Sequence, residues 1–432
     1  MSDKSPIETN QASRRDFLTT SSAAIIGGSL AAGLVGPSTV HAAGSDVLKV
    51  ALIGCGGRGT GAAVNAMRAD KNTKLTMLAD AFPDQMQRCR QTLQRQIGEQ
   101  YAVTDDTCFA GFDAYKQVMA SDVDVVLLCT PPQFRPSQLR AAIEADKHVF
   151  CEKPVAVDAP GVRSVLETAE LAKAKNRSLV SGLCWRYDLG VRETIQRIKD
   201  GQIGDIIAIQ ENYLTGTLWH RGRQPNWSEM EYQLRNWLYF TWLSGDHNVE
   251  QHIHSLDKAM WLMDDKPPAQ CYGLGGRQVR TGQEWGNIYD HHAVVYEWAG
   301  GVKCFAFTRQ MAGCSNETED FVMGSKGSAA VLKNEITSGT EKWKYRGEKP
   351  GMYDQEHIEL FQSIRDSKPI NNGIYMSYST MLAIMGRMAT YTGQTITWDQ
   401  AMNSTEDLSP ATYEWGDVKV PSVAMPGITK FV

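Results

Sequence analysis

The segment KVALIGCGGRGTG, residues 49–61, joins a short apolar run to a loop that is rich in glycine. Residues 50–53 are aliphatic without interruption, which is typical of a strand buried on both faces of a parallel sheet. Gly54, Gly56 and Gly59 then fit the spacing G-x-G-x-x-G. The first glycine allows a tight turn, the second lets a pyrophosphate approach the backbone, and the third lets the next helix pack close to the strand. The segment therefore predicts a dinucleotide-binding loop.

A second apolar run, from Leu75 to Ala79, ends in Asp80, which lies 21 residues after the last glycine of the pattern. In dinucleotide folds a carboxylate at this distance holds the ribose diol of the adenosine. An acid there disfavours the 2′-phosphate of NADP, so we expect NAD as the cofactor. The helix predicted from Thr60 to Arg68 points its first amide groups at the phosphates, which adds Gly57 and Arg58 to the candidate cofactor contacts. The alternative for Asp80 is a solvated acid at a strand end.

Residues 1–42 have the pattern of a twin-arginine export signal. Arg14 and Arg15 stand in the motif SRRDFL, an apolar stretch rich in alanine, glycine and serine follows, and a small-residue site ends at Ala42. Glycines and serines interrupt the apolar stretch, which argues against a permanent membrane span. We therefore predict cleavage near Ala42 and a periplasmic or otherwise extracytoplasmic location.

The composition favours a small-molecule partner. A formal net charge of -5 gives no electrostatic footprint for nucleic acid or for an anionic membrane. Nine cysteines are scattered without a C-x-x-C spacing, which does not indicate a disulfide framework. The twin-arginine route carries chains that have already folded, so the dinucleotide can be bound before export.

Helical and strand patterns alternate from residue 83 to residue 183, which predicts a parallel sheet with its ligand at the carboxyl ends of the strands. Thr130 and Pro131 close one predicted strand, and Glu152 and Lys153 follow the next one. These four residues are therefore further candidates for cofactor binding. The predicted strands in this part are 123–129, 148–151 and 178–183, and the predicted helices are 83–100, 112–119, 136–145 and 162–175.

Four motifs together resemble the glucose-fructose oxidoreductase and inositol dehydrogenase family, also called Gfo/Idh/MocA. They are GCGGRG at 54–59, LLCTPP at 127–132, CEKP at 151–154 and HSLDKAMW at 254–261. The resemblance implies an α/β protein with an N-terminal Rossmann domain and a C-terminal α/β domain that carries an open, mainly antiparallel sheet. It also implies an NAD-dependent oxidoreductase that acts on a hydroxyl group of a sugar, glycoside or polyol.

The domain division predicted from these patterns is a signal segment 1–42, a Rossmann domain 43–182 and a C-terminal domain 183–432. The C-terminal part independently shows the partly alternating pattern of half-buried strands. Its predicted strands are 206–213, 293–298, 302–309 and 329–332, with a hairpin at 299–301 and helices at 356–367 and 377–392.

Oxidation of an alcohol by hydride transfer needs a group that takes the hydroxyl proton, since the cofactor performs the redox step. Lys153 lies at a predicted strand end before a proline, and the resemblance places it at the reacting hydroxyl. Within 244–261, a predicted helix brings Glu250, His254 and Asp257 to one face. His254 then resembles the family's proton acceptor, and Glu250 stands where the family usually has aspartate. Glu250 is the candidate for positioning a hydroxyl group.

For several of the candidate residues the sequence also allows a second interpretation. His247, Glu250 and His254 also share a helix face and could bind a divalent metal, but the family chemistry needs none and we expect no metal. Arg186 and Tyr187, together with Asp257, are candidate substrate contacts, and a structural salt bridge is the alternative for Arg186.

Residues 214–243 form a long segment rich in aromatic residues and arginine, which either walls the substrate pocket or makes an oligomer contact. A homo-oligomer is expected from the resemblance. Outside the cytoplasm free nicotinamide cofactor is scarce, so a tightly bound cofactor must be recycled in place. One alternative is redox-neutral cleavage or epimerisation of a glycoside through a keto intermediate. Another is a non-catalytic sensor on the same fold.

Overall fold

The computed structural model describes residues 46–432, so the predicted signal segment 1–42 lies outside the described residues. The first sheet has six parallel strands in the order β3-β2-β1-β4-β5-β6. The strands are β1 (Leu48–Ile53), β2 (Thr73–Asp80), β3 (Cys108–Ala110), β4 (Val125–Leu128), β5 (His148–Cys151) and β6 (Leu179–Ser181). The strand order reverses between β1 and β4, and such a switch point opens a crevice at the carboxyl ends of the strands.

Helices connect these strands and cover the sheet. They are α1 (Gly57–Ala69), α2 (Pro83–Ile97), α3 (Ala114–Met119), α4 (Arg135–Glu144) and α5 (Ala159–Ala174). The aliphatic run of β1 is fully enclosed, because Val50, Ala51 and Leu52 have no exposed surface. The sequence prediction of a strand buried on both faces is therefore confirmed. The bounds predicted for β5 coincide with those observed.

The second sheet has nine strands in the order β14-β13-β12-β11-β7-β10-β9-β8-β15. Strands β7 and β10 pair in parallel, and the other pairs are antiparallel. The strands are β7 (Ile206–Thr215), β8 (Gln270–Gly276), β9 (His291–Glu297), β10 (Lys303–Gln310), β11 (Glu317–Gly324), β12 (Gly327–Ala330), β13 (Glu335–Ser338), β14 (Glu341–Lys344) and β15 (Ile396–Thr397). The predicted fold class, a Rossmann sheet plus an open and mainly antiparallel sheet, is confirmed.

One face of the second sheet packs on helices and the other is open. The helices that accompany this sheet and link it to the first are α6 (Leu189–Lys199), α7 (Glu229–Arg235), α8 (Thr241–Ser244), α9 (His247–Glu250), α10 (Ile253–Leu262), α11 (Met352–Arg365), α12 (Gly373–Thr392) and α13 (Trp398–Asn403). The predicted hairpin at 299–301 joins β9 to β10, with Gly300 and Gly301 at φ values of 93° and 90°.

The nine cysteines all lie within the described residues and all are free thiols, as the scattered spacing indicated. Among residues 46–432, no helix combines the length and the apolar character that a membrane span requires. The predicted division at residues 182 and 183 falls just after β6, and it stays a prediction.

Candidate active site

A cavity of about 430 Å³ lies at the carboxyl edge of the parallel sheet. The sequence-predicted residues Gly54, Gly56, Gly57, Arg58, Gly59, Asp80, Thr130 and Pro131 line it. The cavity is also lined by Trp219, Arg221, Leu234, Arg235 and Trp237, which come from the long segment 214–243. The structure therefore places part of that segment beside the glycine loop, on the cofactor side of the site.

The glycine loop forms a cradle that side chains would fill. Gly54 has φ +96°, and a Cβ there would lie 2.5 Å from the main-chain carbon of Cys129. A Cβ on Gly59 would lie 1.9 Å from the carbonyl oxygen of Gly54, so α1 can pack against the strand only without a side chain. By contrast, a Cβ on Gly57 would meet no atom within 4 Å. Open backbone at the start of α1 fits a pyrophosphate group.

Asp80 ends β2 and its carboxylate is held by the backbone. Its Oδ2 accepts a hydrogen bond from the Cys55 amide at 2.6 Å, and its Oδ1 accepts one from the Phe82 amide at 2.8 Å. Burial raises the pKa of Asp80 above its ordinary value, and the two amides oppose that effect. The carboxylate is thus fixed at the cavity wall where a ribose diol would be bound.

Two more of the side chains predicted to bind the cofactor, those of Thr130 and Arg58, contact other side chains of the protein. The Thr130 hydroxyl donates to Oε1 of Gln138 at 2.7 Å. Arg58 Nε lies 3.1 Å from Oε1 of Glu152, and the guanidinium stacks over the ring of Tyr353 at 4.6 Å. The charge of Arg58 is therefore shared with Glu152, and this ion pair links the glycine loop to the turn that carries Lys153.

The three predicted catalytic residues come together next to this turn. Lys153 Nζ lies 2.8 Å from Oε1 of Glu250 and donates to the main-chain carbonyl of the same residue at 2.6 Å. The side chains of this pair are only 11% and 8% exposed. Nδ1 of His254 is buried and has no hydrogen-bond partner among residues 46–432. Burial, with the nearby charges of Lys153 and Lys258, holds the pKa of His254 well below its usual value.

The continuous helix predicted across 244–261 is wrong, because the segment folds as two helices, α9 and α10. At the break, Lys153 donates to the carbonyl oxygen of Glu250, the group that would accept the His254 amide in an unbroken helix. The His254 amide donates to the Gln251 carbonyl at 3.3 Å instead. The break still leaves Glu250 and His254 near Lys153.

The candidate substrate residues lie within the protein core. Arg186 forms an ion pair with Asp257, with Nε 3.0 Å from both carboxylate oxygens. Asp257 also accepts a hydrogen bond from Ser379 at 2.8 Å. The Tyr187 hydroxyl donates to the side chain of Asn372 at 2.8 Å. The geometry matches the salt-bridge alternative for Arg186, and substrate contact by these three residues stays a prediction.

Within residues 46–432, the trio His247, Glu250 and His254, weighed above for metal binding, is not a group whose donor atoms lie close together, and Glu250 pairs with Lys153. A different trio, Asp246, His247 and His292, brings its donor atoms within 4.8 Å of one another in the described residues. Asp246 already accepts hydrogen bonds from the Tyr289 amide, the Tyr391 hydroxyl and His292. The trio is therefore part of a buried hydrogen-bond network.

Sequence reasoning missed three phenylalanines of the cavity wall, Phe82, Phe112 and Phe134. Each follows a strand of the parallel sheet, at the edge where ligands bind. That position after a strand end was the available signal. No comparable signal marks the C-terminal residues that pack behind these rings.

Comparison with known proteins agrees with this geometry. Residues 48–181 match the family model described as "Oxidoreductase family, NAD-binding Rossmann fold", under the name GFO_IDH_MocA. The match covers the Rossmann part of the chain, residues 48–181. The Gfo/Idh/MocA resemblance stated from the motifs is supported by this match, and so is an NAD-binding site in the Rossmann fold.

Two curated relatives and one solved structure extend the comparison. Inositol 2-dehydrogenase of Rhizobium meliloti (strain 1021) is 26% identical over 266 residues, which cover 62% of this chain and 70% of the relative. The 2,7-anhydro-N-acetylneuraminate hydratase of Escherichia coli (strain K12) is 26% identical over 220 residues, covering 50% and 54% of the two chains. The crystal structure of aldose-aldose oxidoreductase from Caulobacter crescentus, complexed with glycerol, shares the fold at 18% identity, with a TM-score of 0.63 and coverage of 81% and 99%.

Proposed function

We propose that this protein is an NAD-dependent oxidoreductase that transfers a hydride between its cofactor and a CH–OH group of a sugar, glycoside or polyol. The supporting observation is that Glu250 and His254 lie close to Lys153, the residue that follows Glu152. Glu152 in turn forms an ion pair with Arg58, which lines the cavity. An inositol dehydrogenase and an aldose-aldose oxidoreductase among the similar proteins support a polyol or sugar as the substrate class.

The bound dinucleotide supplies the hydride acceptor or donor. The ammonium group of Lys153 donates a hydrogen bond to the substrate hydroxyl, and Glu250 holds this ammonium group in place through the 2.8 Å contact. Burial and the nearby charges of Lys153 and Lys258 keep the imidazole of His254 neutral, and we assign it the role of accepting the proton that leaves the hydroxyl. Glu250 also offers a carboxylate that can orient a neighbouring hydroxyl group.

The test replaces Lys153 by Met and measures two quantities, turnover in a screen of sugars and polyols and the amount of bound nucleotide. We expect turnover to fall by about 100-fold or more, the range of a lost acid–base group, while bound NAD stays near the wild-type amount. The matched control is Lys147→Met. Lys147 lies at the opposite end of β5, where its Nζ donates to the Ser121 carbonyl at 2.7 Å, so turnover should be unchanged. Equal turnover in the wild type and Lys153→Met would refute the proposal.

We further propose that the chain is exported through its twin-arginine pattern and carries its NAD tightly bound. A cofactor that cannot exchange outside the cytoplasm must be returned to its starting state by a second substrate or by the same molecule. An aldose-aldose oxidoreductase among the similar structures supports the first route, and a hydratase among the relatives supports a reaction without net redox change. Cell fractionation of the wild type and of a variant with Arg14 and Arg15 both changed to Lys tests export, because only the wild type should leave the cytoplasm.

We also propose that the chain forms a homo-oligomer through the open face of the second sheet. Large apolar side chains stand exposed on this face, on strands that are neighbours in the order β11-β7-β10-β9-β8. They include Tyr272, Leu274, Phe305, Phe307 and Met323. An exposed apolar area of this kind marks an interaction surface. Light scattering should report a multimer for the wild type and a monomer for Phe305→Lys with Phe307→Lys.

A further inference from the structure

The C-terminal segment 404–418, here called the strap, contains neither helix nor strand. Extended segments without regular structure are uncommon in compact domains and are often functional. The strap leaves α13 and runs to the carboxyl edge of the parallel sheet. There the amide of Leu408 donates to Oδ2 of Asp158 at 3.0 Å, next to the start of α5.

The strap packs against the back of the cavity wall. Trp415 contacts Phe82 and Phe112, with ring centroids 5.3 and 4.8 Å apart. Tyr413 contacts Phe134 at 5.5 Å and Phe112 at 6.2 Å. These three phenylalanines line the cavity, whereas Tyr413 and Trp415 do not. The two strap aromatics therefore act on the cavity through the phenylalanines.

Hydrogen bonds fix the strap at both sides of this aromatic contact. Nε2 of Gln133 donates to the Tyr413 hydroxyl at 2.9 Å and to Oγ of Ser409 at 2.8 Å. On the other side the Met230 amide donates to the Gly416 carbonyl at 3.0 Å. The second bond joins the strap to α7, which belongs to the segment 214–243.

Helix α7 is itself anchored on the cofactor domain. Arg235 places its guanidinium 4.1 Å from the ring centre of Phe82 and forms an ion pair with Asp84 at 3.0 Å. Arg235 also lines the cavity. The strap and α7 therefore form one connected layer, and both of its parts hold Phe82.

We propose that the strap is a retaining element of the dinucleotide site, with Trp415 as the residue that positions Phe82 and Phe112 against the bound nucleotide. This inference rests on the proposed function, since it assumes that NAD occupies the cavity. While the strap is docked, the cavity wall is rigid and the nucleotide leaves slowly. Release of NAD then requires the strap and its aromatic contacts to detach.

The experiment measures the dissociation rate of NADH from the protein by its fluorescence, after a chase with excess NAD and without any sugar substrate. Trp415→Ala should release NADH about tenfold faster or more, the scale expected when two aromatic ring pairs are removed. Trp415→Phe should restore slow release, because a smaller ring still packs on the two phenylalanines. Ile428→Ala, at a position in the C-terminal segment that is 70% exposed, is the matched control and should match the wild type.

The thermal unfolding midpoint of the nucleotide-free proteins separates retention from general destabilisation. Faster NADH release with an unchanged unfolding midpoint supports the proposed role of the strap. A release rate in Trp415→Ala equal to that of the wild type overturns it. If Trp415→Ala does not fold, Gln133→Ala removes two strap hydrogen bonds at a partly exposed position, and the same two outcomes apply to it. Wild-type protein that retains no NADH at all would refute the proposed function, whereas an equal release rate in all variants refutes only the strap.

Discussion

The two walls of the cofactor cavity are built in different ways. The inner wall consists of the glycine loop and the strand ends of the parallel sheet, where Asp80 and Thr130 lie on or beside regular elements. The outer wall consists of residues 219–237 and the strap behind the phenylalanines, and its contacts join distant parts of the chain. Gln133 and Tyr413, for example, are 280 residues apart in sequence. The difference indicates that recognition of the nucleotide is encoded locally, whereas its enclosure depends on tertiary contacts.

The largest expected effect is at the glycine loop of the inner wall. Gly59→Ala should cost more than about 4 kcal/mol of unfolding free energy, because its Cβ would lie 1.9 Å from the Gly54 carbonyl oxygen. The matched control is Gly57→Ala, whose Cβ meets nothing within 4 Å, and which should stay within about 0.5 kcal/mol of the wild type. Urea unfolding of both variants checks this. Equal costs would mean that close packing of α1 does not hold the inner wall.

Acid should have the second largest effect, on the packing of α11 against the parallel sheet. His357 is buried against Phe150 of β5, and burial lowers its pKa to about 3. The unfolded chain, with a histidine pKa near 6.5, therefore binds a proton that the folded chain does not bind. Stability from this residue is complete above about pH 6.5 and falls as the pH drops towards about 3, by roughly 4 kcal/mol.

His357→Phe should flatten this part of the stability profile, since phenylalanine has no proton to bind. Unfolding free energies measured at about pH 7 and about pH 4 for the variant and the wild type check the prediction. A parallel decline in both proteins would show that other groups control the response to acid.

The third largest expected effect concerns the preference for NAD over NADP. The Asp80 carboxylate should favour NAD over NADP by about 100-fold, because a 2′-phosphate would meet a like charge. Asp80→Ser should remove most of that preference, as measured by binding of the two reduced cofactors. Asp105→Ser, which changes an acid that pairs with Arg90 and does not line the cavity, is the control and should keep the preference. A wild type without any preference would remove the proposed role of Asp80.

The smallest effect is expected at the outer wall. Arg235→Met removes ion pairs with Asp84 and Glu231, whose side chains are 46% and 23% exposed, from an arginine that is itself 12% exposed. Such a pair contributes about 0–1 kcal/mol, so unfolding should change little while NADH release becomes about threefold faster. Arg90→Met breaks a comparable ion pair with Asp105 away from the cavity and should not affect release. A large loss of stability in Arg235→Met would show that the outer wall also supports the fold.

The same contrast explains what could be predicted from the sequence. The glycine loop, Asp80 and strand β5 were predicted because spacing and apolar runs are local properties. The break between α9 and α10 was missed because the contact made there, from the ammonium group of Lys153 to Glu250, joins residues 97 positions apart in sequence. The strap was missed for a related reason, since irregular segments carry no periodicity and Trp415 meets its partners only in the folded chain.

The hydrogen bond from Lys153 to the main chain of Glu250 gives one side chain two duties. The lysine pairs with a carboxylate and also donates to the main-chain carbonyl at the junction of α9 and α10. Without the ammonium group, we expect the Glu250 carbonyl to accept a hydrogen bond from the His254 amide, which would extend the helical hydrogen bonding across the junction of α9 and α10. The histidine would then turn relative to the cavity. A crystal structure of Lys153→Met should therefore show a displaced His254, and lost turnover in that variant would reflect misaligned machinery as well as a missing charge.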